Sequence, residues 1–321
     1  MSIFRTEFNT RLHKNTISHS ARILTLGSCF ADSIGNRLAD NKFHALINPF
    51  GATYNPLSIQ KLIRMACYNQ VPSPETYLAN EDIHSNYDFH SSLSALSRQE
   101  LEKKLKDIIG GVHHFISRCD FLFITYGTSW VYERKDIQEV VANCHKQPSS
   151  VFNKSLLNQK AIEDSFNEMY ADLKKLNPKI QIILTLSPVR HLKDTIELNS
   201  VSKSILRTAC YSISERSEDV NYFPAYEIMM DDLRDYRFYA EDMIHPSAEA
   251  EEYIWNKFSE SYFSNDTKAL LKEWQTVKKM MEHKPFHPLS LSHQKFVKDI
   301  RAKLEALQPK LDVSEELKNY L

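Results

Sequence analysis

Cys29 stands between an apolar run, residues 23–26, and a helix-like stretch, in the order Gly27-Ser28-Cys29-Phe30-Ala31. A strand-to-helix turn aims backbone N–H groups and the positive end of a helix dipole at the residue it holds. Both favour a thiolate and suit a nucleophile. Only six glycines occur in 321 residues, so the one directly before Ser28-Cys29 marks a backbone requirement. Far along the chain, Asp242-Met243-Ile244-His245-Pro246 offers a base, His245, and a carboxylate three residues earlier, Asp242, able to reach the other ring nitrogen and fix the tautomer. A nucleophile, a base, a group that orients the base and the Cys29 backbone N–H for a developing oxyanion are the parts of an acyl-transfer site. Arg190 and His191 close another apolar run. Arg190 suits a substrate carboxylate or phosphate, or equally an ion pair with an acid such as Asp194.

Each of these residues has a reading without chemistry. Free cysteines are among the most buried residue types. Asp-x-x-His before a helix serves as an N-terminal cap followed by a proline start. Ser28 competes with Cys29 as the working hydroxyl, because the turn exposes only one of two neighbours. His113-His114 and Cys144-His145 lack a third ligand at zinc spacing, so neither a metal nor a cofactor is expected.

Residues 29 and 245 need a scaffold that joins the two ends of the chain. Short apolar runs alternate with amphipathic stretches, as in a parallel sheet covered by helices. Strands are predicted over 21–26, 44–47, 121–126, 180–186 and 220–226, with helices over 32–41, 57–68, 99–117, 156–176, 197–215 and from Pro246 onward. A parallel sheet collects its strand ends at one carboxyl edge, where ligands bind. Residues 130–133 and 139–142 read as a hairpin inserted on the main sheet, and 71–97 as a long irregular insertion. Beyond residue 265 the chain is helical and charged, broken at Pro285 and Pro288. Leu270, Leu271, Trp274, Val277 and Met281 recur there at helical spacing, for packing on the protein's own core or for a homodimer or other partner. The expected division is an α/β domain over residues 1–264 and a helical extension over 265–321 packed on it.

Composition removes several function classes. Forty Lys and Arg against 41 Asp and Glu leave a net charge of −1, so no global footprint for nucleic acid or anionic membrane exists. Hydrophobic residues at 42% and charged residues at 25% are those of a globular protein with a sizeable core. No apolar stretch is long enough to span a membrane, and the opening residues 1–8 mix charge with apolar groups unlike a secretory signal. Five widely spaced cysteines without a Cys-x-x-Cys pair point to a reducing, cytoplasmic setting.

The Gly27-Ser28-Cys29-Phe30-Ala31 run resembles the signature that names the GSCFA domain family, itself distantly similar to the SGNH, or GDSL-type, hydrolases. Further stretches resemble the family: Asn48-Pro49-Phe50-Gly51-Ala52-Thr53-Tyr54-Asn55-Pro56, Tyr126-Gly127-Thr128-Ser129-Trp130-Val131-Tyr132, Val141-Ala142-Asn143-Cys144-His145-Lys146, Ser187-Pro188-Val189-Arg190-His191 and Asp242-Met243-Ile244-His245-Pro246-Ser247. They run from about residue 20 to about residue 260 and leave the tail outside. The resemblance implies a flavodoxin-like, SGNH-type three-layer sandwich with a five-stranded, mostly parallel sheet, and an ester or thioester hydrolase or O-acyltransferase acting on a small-molecule or carbohydrate substrate. The superfamily's Gly-Asp-Ser block places Cys29 at the nucleophilic serine, and its Asp-x-x-His block is met by Asp242 and His245. Gly51 matches the second-block glycine whose N–H enters the oxyanion hole. The third block, Gly-x-Asn-Asp, reads Gly127-Thr128-Ser129-Trp130, so the asparagine donor is absent and Thr128 or Ser129 is left to replace it in part with a hydroxyl. Two other functions remain open: a non-catalytic ligand-binding module that kept the scaffold, and a redox-sensing cysteine.

Overall fold

Five strands build one parallel sheet: β1 (Arg22–Gly27), β2 (His44–Ile47), β5 (Phe121–Tyr126), β9 (Gln181–Leu186) and β10 (Val220–Phe223). These are seen in a computed structural model that describes residues 6–320. The spatial order β2-β1-β5-β9-β10 is the flavodoxin-like 2-1-3-4-5 arrangement. Register places Leu24 beside Leu46 and Leu122, and Gly27 beside Thr125, so the β1 end lies one strand from the β5 end.

Alternate side chains along each strand enter two separate cores. Leu24, Leu26, Leu122, Ile124, Ile182 and Leu184 pack under α2 (Pro56–Cys67), α3 (Arg98–Ile116), α4 (Gln159–Leu176) and α5 (Ile196–Arg216). Ile23, Phe121, Phe123 and Ile183 pack under α1 (Cys29–Asp40) and α7 (Ala248–Tyr262). Burial on both faces explains why these strands read as unbroken apolar runs. The result is a three-layer α/β/α sandwich.

The predicted strands and helices are found with shifts at their ends. The first helix starts at Cys29 rather than residue 32, directly after the extended Ser28, whose carbonyl accepts the Ala31 N–H. The insertion over 71–97 contains a two-stranded hairpin, β3 (Tyr77–Asn80) and β4 (Ile83–Asn86). The hairpin predicted on the main sheet is instead part of a separate antiparallel sheet, in which β6 (Trp130–Arg134) pairs with both β7 (Glu139–Val141) and β8 (Phe152–Leu156). Strand β8 occupies residues with no strand-like alternation, and the helix expected from residue 156 begins only at Gln159, behind the Asn158 cap. A short helix, α6 (Ala225–Glu227), runs into a π-helical turn after β10.

The tail forms α8 (Asn265–Met281), α9 (Leu291–Leu307) and α10 (Ser314–Lys318). Trp274, Val277, Ile300, Leu304 and Leu307 pack against one another. Trp274 Nε1–H donates to the Asp40 carbonyl at 2.9 Å, and Lys42 pairs with Glu316 at 2.6 Å, so this cluster rests on the end of α1. No helix among the described residues is long and apolar enough to cross a membrane. Residues 1–5, part of the stretch read for a leader, lie outside the described residues.

Candidate active site

Gly27 ends β1 with φ +130°, and a Cβ there would lie 2.1 Å from the Thr125 carbonyl oxygen. Only glycine fits this turn. Asn48, just past β2, clamps it: Oδ1 accepts the Gly27 N–H at 3.1 Å, while Nδ2 donates to the Gly27 carbonyl and to Asp32 Oδ2, both at 3.2 Å. Ser28 occupies the N-cap position of α1 without a side-chain cap and is fully buried, with no hydrogen-bond partner for its hydroxyl. Cys29, the first residue of α1, stays half-buried. Of the two neighbours, the turn leaves the cysteine accessible.

His245 sits on the loop before α7. The loop folds back on itself through Ala240 N–H to the His245 carbonyl and Ser247 N–H to the Phe238 carbonyl, each at 2.8 Å. Asp242 does two jobs there. Its Oδ1 accepts the Ile244 and His245 N–H groups at 2.9 and 3.0 Å, and its Oδ2 accepts His245 Nδ1–H at 2.6 Å. The backbone N–H of His245, its ring and the Ile244 N–H together hold the Asp242 carboxyl down to about 2. The helix cap itself is Ser247, whose Oγ accepts from Ala250 N–H, so α7 begins two residues beyond Pro246 and not at it. His245 Nε2 then stands 3.8 Å from Cys29 Sγ.

The Cys29 thiol is pushed above its ordinary value, first by burial and then by the Asp32 carboxylate; the Cys29 and Phe30 N–H groups and Lys203 oppose this without overcoming it. Burial therefore works against the thiolate that the turn alone favours, and it outweighs the helix terminus.

Other anticipated residues have different partners. Gly51 takes φ +73° with His90 Cβ 2.4 Å from where its own Cβ would lie, but its N–H already donates to the Asn48 carbonyl at 2.8 Å and is not free for an oxyanion. The Gly127 and Thr128 N–H groups donate to the Tyr54 carbonyl at 2.8 and 3.1 Å. Thr128 Oγ1 lies 3.0 Å from Ser202 Oγ, and Ser129 donates through its N–H to Ser202 Oγ and through its hydroxyl to the Ser202 carbonyl. The two hydroxyls expected to replace an asparagine donor are thus committed to α5. Arg190 does not pair with Asp194, which meets Lys154 instead. Its guanidinium stacks 4.1 Å over Tyr239, beside Tyr236 and Met230 at a cavity of 320 Å³, and the Arg190 backbone N–H donates to the Ile244 carbonyl next to His245.

Lys203 escaped the sequence reading. It is buried on α5, its Nζ donates to the Ser187 carbonyl at 2.7 Å, and burial pulls its pKa down to about 7. Asn199 and Lys203 fall in register with Leu206, Cys210 and Ile213 along one buried stripe, and a lysine inside an apolar helical stripe was the available signal. His113 and His145 merely donate to backbone carbonyls of Ala66 and Asn86. No group of three His, Cys, Asp or Glu among the described residues could hold a metal ion.

Among solved structures, the chain is similar to a Streptococcus pneumonia protein named for platelet activating factor, at 11% identity over 75% of this chain and 83% of that one, with a TM-score of 0.39. An acetyl xylan esterase from Butyrivibrio proteoclasticus matches at 12% identity over 82% and 66% of the two chains, TM-score 0.37. A carbohydrate esterase family 3 protein from Talaromyces cellulolyticus matches at 12% over 50% and 63%, TM-score 0.29. No curated protein sequence matches. Residues 274–320 fit the pattern described as GSCFA domain protein, C-terminal domain. Residues 22–258 fit the pattern of the GSCFA family, and the chain belongs to that family.

Proposed function

We propose that this protein is an acyl-transfer enzyme, an ester or thioester hydrolase or an O-acyltransferase, with Cys29 as nucleophile, His245 as base and Asp242 as the group that orients it. One observation carries the reading: Cys29 and His245, 216 positions apart, stand 3.8 Å from each other while Asp242 holds the far side of the imidazole at 2.6 Å. A carboxylate can only accept, so the proton on Nδ1 faces Asp242 and Nε2 presents its lone pair to the thiol. The contact is long for a hydrogen bond and of the kind that tightens when substrate binds.

The chemistry follows from a neutral thiol. As Sγ attacks the carbonyl carbon, its proton passes to His245 Nε2 and the carbonyl π pair moves onto oxygen. Collapse restores the C=O, expels the alkoxide or thiolate, and returns the proton from Nε2 to that leaving group. The acyl group is left as a thioester on Cys29. Water, or a sugar or other hydroxyl, then gives its proton to Nε2 and attacks, and the sulfur leaves and takes that proton back. Asp242 stabilises the imidazolium in both halves. The N–H groups of Cys29 and Phe30, which act on Cys29 Sγ at the start of α1, are the backbone donors this proposal assigns to the developing charge.

The same proposal takes residues 1–264 as the acyl-transfer domain, residues 265–321 as a helical extension packed on it, a small-molecule or carbohydrate acyl substrate, and a cytoplasmic setting consistent with five free cysteines. A homodimer through the C-terminal helices has less support, since Leu271, Trp274 and Val277 are already buried within the chain.

A second reading, a binding module without turnover, is favoured by the engaged Gly51 N–H and by Thr128 and Ser129 being tied to Ser202. Intact-mass measurement after incubation with activated esters and thioesters separates the two. An acyl adduct on the wild-type chain that is absent from Cys29→Ala is expected. No adduct on the wild type would leave the binding module, and an adduct persisting in Cys29→Ala would move the nucleophile to Ser28.

A further inference from the structure

The oxyanion side of the proposed site is short of donors, since the Gly51, Gly127 and Thr128 N–H groups and the Thr128 and Ser129 hydroxyls all have partners. Beside them lies an enclosed nitrogen with none, His191 Nε2. It stands 3.1 Å from where a Cβ on Gly127 would be; Tyr54 lies 3.2 Å from that same point and meets the imidazole edge to face, 5.5 Å between centroids. Gly127 is two residues past Thr125, the strand partner of Gly27, so His191, on the loop after β9, and the Cys29 turn after β1 stand at the same carboxyl edge on either side of the β5 end. Enclosed polar atoms nearly always find a partner, and an orphan at a catalytic edge calls for one that arrives with the substrate.

The loop that carries the imidazole is held by its backbone. The His191 backbone N–H donates to Asn199 Oδ1 at 3.0 Å, the Ser187 carbonyl accepts from Lys203 Nζ, and the Arg190 backbone N–H reaches the Ile244 carbonyl beside His245. Both neighbouring turns are thus fixed to the loop that carries it. Preorganised donors of this kind need no rearrangement when charge develops.

We infer that His191, through Nε2–H, donates to the substrate oxyanion in the position left empty by the missing third-block asparagine. This rests on the acyl-transfer reading of Cys29. The ring acts as a neutral donor: burial first, then the charges of Lys203 and His245, push its pKa down to about 4. A neutral imidazole polarises a carbonyl without gaining or losing a proton, so the balance of the thiol attack is unchanged. The absence of a side chain at Gly127 keeps the space between donor and strand end open.

The test compares two reactions of Cys29 in wild type, His191→Phe and His191→Gln: acylation by an activated ester and alkylation by iodoacetamide, both followed by intact mass. Alkylation is displacement at a saturated carbon and forms no oxyanion. His191→Phe keeps a ring without the donor and is expected to acylate roughly 10²-fold more slowly at unchanged alkylation. His191→Gln, which restores an amide donor, is expected to recover part of the loss. Acylation by His191→Phe at the wild-type rate, with Cys29→Ala inactive, overturns the role of His191 and leaves the nucleophile standing. An equal fall in both reactions also overturns it, because the defect would then lie in the Cys29–His245 contact. Absence of any Cys29-dependent acylation in the wild type removes the acyl-transfer reading and the donor with it.

Discussion

Five cysteines share one chain, and their surroundings divide them. Cys67, Cys119 and Cys210 are buried; burial pushes the first two to about 12 and the third higher still. Cys29 and Cys144 are half-buried, and only Cys29 has an imidazole within reach. Iodoacetamide is therefore expected to modify Cys29 and Cys144 in the native protein and to spare the other three. Because the Cys29 pKa is raised, its thiolate is scarce at neutral pH, and its alkylation should accelerate as pH climbs past the ordinary thiol value. His245→Ala should slow Cys29 and leave Cys144 alone. The pH profile of labelling, read by peptide mass, checks this; an inflection for Cys29 well below that of Cys144 would mean a preformed thiolate and defeat the neutral-thiol mechanism.

The element that organises the site is α5. Asn199, Ser202 and Lys203 project from one buried face and hold, in turn, the His191 backbone, the Thr128-Ser129 turn and the Ser187 carbonyl. Lys203 carries a cost at low pH. Its folded pKa of about 7 lies below the 10.5 of the free side chain, so between these values the unfolded chain binds the extra proton and stability rises with pH. Relative to Lys203→Met, the wild type should gain about 1.4 kcal/mol per pH unit above pH 7 and nothing below it. Urea unfolding from pH 6 to pH 9 measures the difference. A difference independent of pH would show that Lys203 stays charged when folded.

For the whole molecule, the C-terminal helices matter through their contact with α1, the helix that begins at Cys29. Trp274 is the anchor, buried, hydrogen-bonded to the Asp40 carbonyl and overlain by the Lys42 ammonium. Trp274→Ala should cost roughly 3–5 kcal/mol and release α8–α10 to protease first. Limited proteolysis alongside chemical denaturation would reveal this, and an unchanged midpoint with a protected tail would count against the anchor. By itself the sequence determined the sheet and the candidate triad: strands buried on both faces write their apolar runs openly, and Gly27-Ser28-Cys29 and Asp242-x-x-His245 are local motifs with local geometry. Strand β8 and the β3–β4 hairpin escaped because edge strands with exposed residues carry no period to read. Only the tertiary structure decided the donor side. Whether a Gly51 N–H is free, whether Thr128 meets Ser202, and whether the Lys203 ammonium finds the Ser187 carbonyl depend on contacts between segments distant in sequence. The same holds for the thiol: a helix N-terminus favours its anion, but desolvation by the assembled layers is larger, and only the folded chain determines that balance.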